Sequence, residues 1–352
     1  MINGHLHDNF DTGSSSEKYK VRQHPKKKGK TRMRVYMALL AVLMVSACSN
    51  PDIPGKKYMV DGSEMHLYCT GTRNELPTVI IEAGLGGPTG FYRRIQDGLS
   101  PHLRVCSYDR AGIGWSDTRD TPRDAAHMVS ELHRLLAVAN EPGPYILTGH
   151  SLAGLIMRVY VGQYPDEVVG VAFLDPSHPD QFSRIPDMDD FLEKGKTLYK
   201  YAEYAATFGL THIYNPITAG DWWDYVPEEV QPQLTYLFNR SATYVICRKE
   251  LKEFMASATE AKAAGNLGGR PTVVVTAGTF PDIENSAMES EYRKITSELH
   301  KEIAALSTKG QQVGIAKADH MSLIVNPEYA NRVVDLILEV THEAKADMDM
   351  KN

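Results

Sequence analysis

The 352-residue sequence has few cysteines and no long hydrophobic run. Its four cysteines include no Cys-x-x-Cys pair, which argues against a zinc site, because such sites commonly take two ligands from that spacing. One stretch, residues 35–47, is almost continuously apolar, and 13 residues are too few to cross a bilayer comfortably. These absences exclude a multi-span membrane protein and predict no metal.

Positive charge is outnumbered by negative charge outside the N-terminus. Residues 1–34 hold nine Lys and Arg against three Asp and Glu, a net charge of +6. The whole chain carries −6, so residues 35–352 carry −12. Such an acidic body repels a phosphate backbone, and we expect no nucleic-acid partner. With 42% hydrophobic residues, the chain has enough apolar side chains for a packed core.

The N-terminal segment has the layout of a secretory signal peptide, in which basic residues precede an apolar run. The run ends in Val-Ser-Ala-Cys at positions 45–48, which resembles the lipobox of bacterial lipoproteins. The resemblance implies that Cys48 is acylated and anchors an exported protein in the cell envelope, at the outer membrane or the periplasmic face. Two alternatives stay open, an uncleaved anchor and an incidental Cys48, and translation could also start at Met33.

The rest of the chain alternates predicted strands and helices. Short apolar segments bounded by turns predict strands, and apolar residues at helical spacing predict helices. The strands are expected at 58–60, 65–69, 78–82, 104–108, 145–148, 169–174, 272–276 and 312–315. The helices are expected at 125–139, 152–164, 286–307 and 327–341. This α/β alternation predicts a mostly parallel, doubly wound sheet with its site at the carboxyl ends of the strands.

A candidate nucleophile stands between a predicted strand and a predicted helix, where residues 149–154 read Gly-His-Ser-Leu-Ala-Gly. A serine on so sharp a turn adopts a strained backbone conformation, which small residues two positions before and after it permit. The turn lifts the hydroxyl clear of the sheet at the positive end of a helix. Ser151 is therefore the predicted nucleophile, although Ala153 stands where the motif more often has glycine.

With these landmarks, residues 57–341 resemble the α/β-hydrolase fold superfamily. Ala-Gly-Leu-Gly at 83–86 stands where that family has its oxyanion loop. Asp-Arg-Ala-Gly-Ile-Gly-Trp-Ser at 109–116 is similar to another loop of the family, which we interpret as structural. The resemblance implies an oxyanion hole formed by the backbone N–H groups of Leu85 and Leu152, and it implies no cofactor.

His320 is the predicted general base, because in this fold a histidine on the loop after the last strand reaches back to the serine. The acid stays open between two aspartates at strand ends. Asp282 follows the later strand, which most family members use, but it stands one residue beyond the usual spacing. Asp175 ends its strand directly, as the acid does in some lipases, and we favour it over Asp282.

Residues 176–271 interrupt the alternation and are predicted to form a helical cap. They hold 14 of the 30 aromatic residues, most of which should fill the core of the cap itself. A few should line an apolar pocket, which favours an ester with a hydrophobic part. The predicted organisation is therefore a signal segment at 1–48, a hydrolase core at 49–175 and 272–352, and the cap between them.

The favoured function is a carboxylesterase or lipase-like hydrolase acting on a small-molecule ester. The same triad serves amidases, aminopeptidases and carbon–carbon-bond hydrolases, and a slow-turnover binding protein could also keep this fold. Serine at position 151 argues against the family's haloalkane dehalogenases and epoxide hydrolases, which use aspartate there. Membrane contact is expected through the lipidated N-terminus. The oligomeric state and a Cys69–Cys106 disulfide stay open, although the family's strand order makes those two strands neighbours.

Overall fold

A computed structural model describes residues 51–280 and 286–351. The signal segment with Cys48 and the alternative acid Asp282 lie outside the described residues. Among the described residues, no helix has the length and hydropathy needed to cross a membrane.

Eight strands form one sheet in the order β1-β2-β4-β3-β5-β6-β7-β8. The strands are β1 (Lys56–Val60), β2 (Ser63–Thr70), β3 (Thr78–Glu82), β4 (Val105–Tyr108), β5 (Tyr145–His150), β6 (Val168–Leu174), β7 (Thr272–Ala277) and β8 (Gly310–Ile315). Strand β2 pairs antiparallel with β1 and β4, and the other neighbours pair in parallel. The predicted α/β class and mostly parallel sheet are confirmed.

Helices cover both faces of the sheet. They are α1 (Arg93–Leu99), α2 (Ala125–Val138), α3 (Ala153–Gln163), α4 (Gln181–Arg184), α5 (Met188–Thr207), α6 (Gln231–Phe238), α7 (Ser241–Lys252), α8 (Phe254–Ala263), α9 (Ser286–Ala304), α10 (Ser322–Val325) and α11 (Pro327–Lys351). Successive strand residues point to opposite faces, so α2 and α3 pack on one apolar layer and α1 and α11 pack on the other. The central strands β3, β5 and β7 are consequently buried along their whole length.

Helices α4–α8 lie between β6 and β7, so the predicted helical cap insertion is confirmed. Short 3-10 turns at Leu210–His212, Pro216–Ala219 and Asp221–Tyr225 connect α5 to α6. Helix α5 packs against α7, which in turn lies against the core loop that follows β3. The cap thereby covers the edge of the sheet where the parallel strands end.

Three helices outside the cap differ clearly from the sequence prediction, and one of them is the four-residue α10, which was not predicted. Helix α11 ends at Lys351, ten residues beyond the predicted end, because Ala344 is still buried and Lys309 pairs with Asp347 at 2.6 Å. Helix α1 was not predicted, because seven residues that include a glycine are too few to show a helical period. Its position depends on packing against α11, which a local pattern does not reveal.

Cys69 and Cys106 form a disulfide. They stand directly opposite each other in the antiparallel pairing of β2 with β4. The disulfide therefore joins the N-terminal hairpin to the parallel part of the sheet. Cys247 is the free cysteine of the described chain, and it is buried in α7.

Candidate active site

Ser151 lies in the turn between β5 and α3, with a φ of +59°. This left-handed conformation is strained for any residue with a side chain and persists only where neighbouring structure holds it. The Ser151 N–H donates to the Leu174 carbonyl at 3.1 Å, and the Ser177 N–H donates to the Ser151 carbonyl at 2.8 Å. The N–H and the carbonyl of Ser151 are thus both hydrogen-bonded, one to the end of β6 and the other to the start of the cap, and these bonds stabilise the strained turn.

The small residues around Ser151 are required by close contacts. A Cβ atom added at Gly149 would lie 2.6 Å from the Ala153 Cβ and 2.8 Å from the Glu82 carbonyl oxygen. A Cβ atom added at Gly154 would lie 2.5 Å from the Pro176 Cβ. Ala153 is compatible with the turn because the residue facing it, Gly149, has no side chain.

His320 and Asp175 form a hydrogen-bonded pair. Asp175 follows β6, His320 lies between β8 and α10, and His320 Nδ1 donates to Asp175 Oδ2 at 2.7 Å. The other carboxylate oxygen, Oδ1, accepts from the Ala277 N–H at 3.0 Å. This pairing fixes the proton on Nδ1 and leaves the Nε2 nitrogen of His320 able to accept a proton.

The environment keeps Asp175 ionised. Its burial alone would raise the pKa of the carboxyl, but the hydrogen bond and charge of His320 and the nearby His300 together hold that pKa well below its usual range. A charged carboxylate at this position stabilises a protonated His320 ring.

His150 places the His320 loop beside the serine turn. The His150 Nε2–H donates to the His320 carbonyl at 2.9 Å, and the two rings lie 4.1 Å apart. Burial, with a smaller effect from the charge on His320, holds the pKa of His150 well below 6.5, so that its ring is neutral. His150 directly precedes Ser151, and its contacts bring the predicted base and the predicted nucleophile to the same end of the sheet.

In the loop after β3, the Leu85 N–H has no acceptor within the described part of the chain. The glycine N–H groups at 84, 86 and 87 donate to Tyr92 Oη, Glu250 Oε2 and Gly84 O at 2.7, 2.8 and 3.1 Å. Among the described residues, the Leu85 N–H donates to no protein group, and the same is true of the Leu152 N–H. These are the two groups that the sequence analysis assigns to the oxyanion hole.

This loop also passes directly against the predicted nucleophile. A Cβ atom added at Gly84 would lie 3.2 Å from the Ser151 Cβ. The unused Leu85 N–H therefore belongs to a loop in contact with Ser151, and the Leu152 N–H belongs to the next residue in the chain. Free donors on two backbone segments next to the serine suit an oxygen that becomes negatively charged during a reaction.

Other polar residues near the site have structural partners. Asp319 Oδ1 accepts from the N–H groups of Met321 and Ser322 at the start of α10, as the prediction of a loop role expects. His178 Nδ1 accepts from the Asp180 N–H at the entry to the cap. The group with metal-ligand spacing within the described chain contains Cys69 and Cys106, whose disulfide leaves no thiolate to bind an ion.

Three buried residues beside the site were not found from the sequence. His300 donates from Nε2 to the Pro176 carbonyl at 2.9 Å and so supports the segment that follows Asp175. Arg110 and Glu250 bond to the loop after β3. The motif at 109–116 marked Arg110 without indicating its partner, and Glu250 stands 140 residues further along the chain with no local signal.

Comparison with known proteins agrees with this architecture. Residues 77–215 match the family model of the alpha/beta hydrolase fold. An uncharacterised Schizosaccharomyces pombe protein is 27% identical over 195 residues, which cover 47% of this chain and 36% of the relative. The Bacillus subtilis protein YqjL, also uncharacterised, is 23% identical over 265 residues, which cover 75% of this chain and 84% of the relative. The chain thus spans only about a third of the yeast relative's length.

Solved structures show the same fold at low identity. A thermophilic esterase from Thermogutta terrifontis superposes with a TM-score of 0.58 at 16% identity, covering 82% of this chain and 100% of its own. A haloalkane dehalogenase variant from Bradyrhizobium elkanii gives a TM-score of 0.60 at 16% identity, covering 84% of this chain and 99% of its own. The chain therefore has the α/β-hydrolase fold. The family match is confined to residues 77–215, and these structures, at 16% identity, show the fold.

Proposed function

We propose that the protein is a serine hydrolase that cleaves carboxylic esters with a hydrophobic part through an acyl-enzyme intermediate. The observation that carries the proposal is the strained Ser151 turn beside the His320–Asp175 pair. The unused N–H groups of Leu85 and Leu152 give further support.

The proposed reaction uses these groups in the same roles in both half-reactions. His320 Nε2 takes the proton of the Ser151 hydroxyl as its oxygen attacks the acyl carbonyl. The Leu85 and Leu152 N–H groups bind the oxyanion, and Asp175 stabilises the protonated ring of His320. His320 then gives its proton to the leaving alcohol. In the second half-reaction, water attacks the acyl carbonyl as His320 takes its proton. The bond from the acyl carbon to the Ser151 oxygen then breaks, His320 returns the proton to Ser151, and the carboxylic acid leaves.

A hydrophobic substrate part is supported by aromatic side chains where the cap meets the core. Phe91, a few residues after the loop with Leu85, contacts Trp222 and Phe238 of the cap at ring-centroid distances of 5.7 and 5.9 Å. A mostly apolar lining with a few polar groups is typical of small-molecule sites. The esterase among the structural neighbours is in keeping with the same substrate class.

The proposal is tested by hydrolysis of p-nitrophenyl esters from acetate to palmitate. The full chain should hydrolyse them, and Ser151→Ala should lower kcat by about 10⁶-fold, since a triad fails as a unit. Ser177→Ala is the matched control, because it removes a hydroxyl from a neighbouring residue while its N–H can still bond to the Ser151 carbonyl. Equal turnover by wild type and Ser151→Ala, or hydrolysis of p-nitroanilides in preference to esters, would contradict the proposal.

We also propose that Cys48 carries the lipid of an envelope lipoprotein. Support comes from the order of the N-terminal residues and from the Cys69–Cys106 disulfide, because disulfides persist in oxidising compartments. Mass measurement of the exported protein should show a diacylglycerol-type adduct on a chain that begins at Cys48. The Cys48→Ser variant should lack the adduct, and an unmodified N-terminus in wild type would contradict the proposal.

A further inference from the structure

A cluster of buried charges joins the core to the cap beside the proposed oxyanion hole. Arg110 lies between Glu82 of β3 and Glu250 of α7, with side-chain exposures of 1%, 2% and 0%. Arg110 Nη1 donates to Glu82 Oε1, and Arg110 Nε donates to Glu250 Oε1, both at 2.7 Å. The Tyr108 hydroxyl donates to the second oxygen of Glu82.

The same arginine holds the backbone of the loop after β3. Arg110 Nη1 donates to the Ala83 carbonyl and Nη2 donates to the Gly84 carbonyl, each at 2.7 Å. Nη2 also donates to Glu250 Oε2 at 2.8 Å, and that oxygen accepts from the Gly86 N–H at 2.8 Å. The buried Arg110–Glu250 ion pair therefore bonds to the polar groups immediately before and after Leu85, and the Gly84 carbonyl accepts in addition from the Gly87 N–H.

Because the peptide bond is planar, the bonds from Arg110 to this loop also set the direction of the Leu85 N–H. The Gly84 carbonyl and the Leu85 N–H belong to one peptide unit, and in a trans peptide they point in opposite directions. A guanidinium bound to the Gly84 oxygen on one side therefore directs the Leu85 N–H to the other side. The loop contacts Ser151 through Gly84. The orientation of the Gly84–Leu85 peptide unit therefore decides whether the Leu85 N–H can donate to the reacting oxygen.

We propose that Arg110 and Glu250 are positioning residues of the oxyanion hole. Because Glu250 belongs to the cap, the Leu85 N–H is oriented correctly only when the cap is packed in place on the core. The inference rests on the proposed hydrolase function, but neither residue touches the substrate. Replacing a buried ion pair with apolar side chains of similar volume often preserves stability. Such a replacement would, however, lose the directional hydrogen bonds to the Gly84 carbonyl and the Gly86 N–H.

The test compares Glu250→Gln with Glu260→Gln in the full chain. Glu260 is a matched control, because it is a cap carboxylate that accepts a core N–H, that of Ala126, at 2.9 Å, on a different core segment. Loss of one oxyanion donor typically costs about 10²–10³-fold in rate, and a loosened donor should cost about 10–100-fold. We expect Glu250→Gln to lower kcat by that factor with KM within about twofold of wild type, and Glu260→Gln to keep both values.

A second readout does not depend on hydrolysis. Hydrogen exchange of the backbone amides at 83–87, followed at neutral pH, should be at least about tenfold faster in Glu250→Gln than in wild type or Glu260→Gln. If Glu250→Gln does not fold, Arg110→Lys gives the same comparison, because lysine keeps the charge but loses the fork that binds two acceptors.

These readouts separate failure of the inference from failure of the proposed function. Unchanged kcat and unchanged amide exchange in Glu250→Gln would overturn the positioning role while leaving the hydrolase proposal intact. A kcat loss matched by Glu260→Gln would also overturn it, because the effect would then be a general consequence of loosening the cap. Faster exchange in a chain that hydrolyses no ester would support the positioning of the loop and contradict the proposed function alone.

Discussion

The core strands and the outer part of the cap, at residues 201–213, bury their large apolar side chains to very different extents. Core strand residues such as Ile80, Leu147 and Phe173 are at most 2% exposed, whereas Tyr201, Phe208 and Ile213 of the cap are 66%, 78% and 85% exposed. Each core strand packs between two helical layers, while the outer cap helix α5 packs mainly on α7. The core therefore has the tight packing that holds catalytic groups in fixed geometry, and the cap has surface that is free to vary.

The proposed catalytic groups follow the same division. Ser151, Asp175, His320 and the two unused N–H groups all lie on core loops at strand ends. The cap contributes apolar surface and one polar contact to the loop after β3, through Glu250. Core substitutions should therefore change kcat or stability, and cap surface substitutions should change neither. The following predictions test that division, from the largest effect to the smallest.

Asp175→Asn should lower kcat by about 10⁴-fold, because the amide cannot fix the His320 tautomer or stabilise its charge. Kinetics with a p-nitrophenyl ester measure this directly. Asp282→Asn and Asp319→Asn, assayed alongside, should stay within a few-fold of wild type. A larger loss in Asp282→Asn than in Asp175→Asn would move the acid to the later strand.

Phe173→Ala should lower the free energy of unfolding by about 3–5 kcal/mol, because it leaves a cavity in a layer packed from both sides. Urea unfolding at pH 7.5 measures the change. A loss below about 1 kcal/mol would mean that this part of the core relaxes into the cavity, and the contrast with the cap would then weaken.

Acid should destabilise the junction of core and cap. Burial lowers the pKa of His178 to about 4, and burial also lowers the pKa values of His150 and His300. Between pH 6.5 and about 4 these three histidines therefore bind more protons in the unfolded chain than in the folded one, and their contribution to stability falls as the pH falls. His178 alone should account for at most about 3 kcal/mol.

The measurement is the free energy of unfolding in urea at pH 7.5 and pH 4.5. His178→Gln should lose less stability than wild type over this interval, because glutamine does not titrate. An equal loss in both proteins would show that His178 does not contribute to the acid sensitivity.

Phe208→Ala should change the free energy of unfolding by less than about 0.5 kcal/mol and leave ester hydrolysis unchanged, because its ring is mostly solvated. Thermal unfolding and the ester assay measure both quantities. A loss comparable to that of Phe173→Ala would show that the Phe208 ring, just beyond the end of α5, is packed in solution.

Local sequence patterns predicted the fold class well and the site in part. The sheet, the cap insertion and the turn at Ser151 depend on periodicity and on small residues next to one another in the chain, which are visible in the sequence. The partner of His320 depends on which strand-end aspartate faces the ring, so the sequence left Asp175 and Asp282 open. The bond from Glu250 to the Gly86 N–H joins positions 164 residues apart, and no local pattern reports such a contact.

The central claim is that the Ser151 oxygen forms a covalent acyl-enzyme. Rapid acid quenching during turnover of a slowly deacylated ester, followed by peptide mass mapping, tests it most directly. One acyl group per chain is expected on the peptide that contains Ser151, and none in Ser151→Ala. Turnover without a Ser151 adduct, or an adduct that persists in Ser151→Ala, would contradict it.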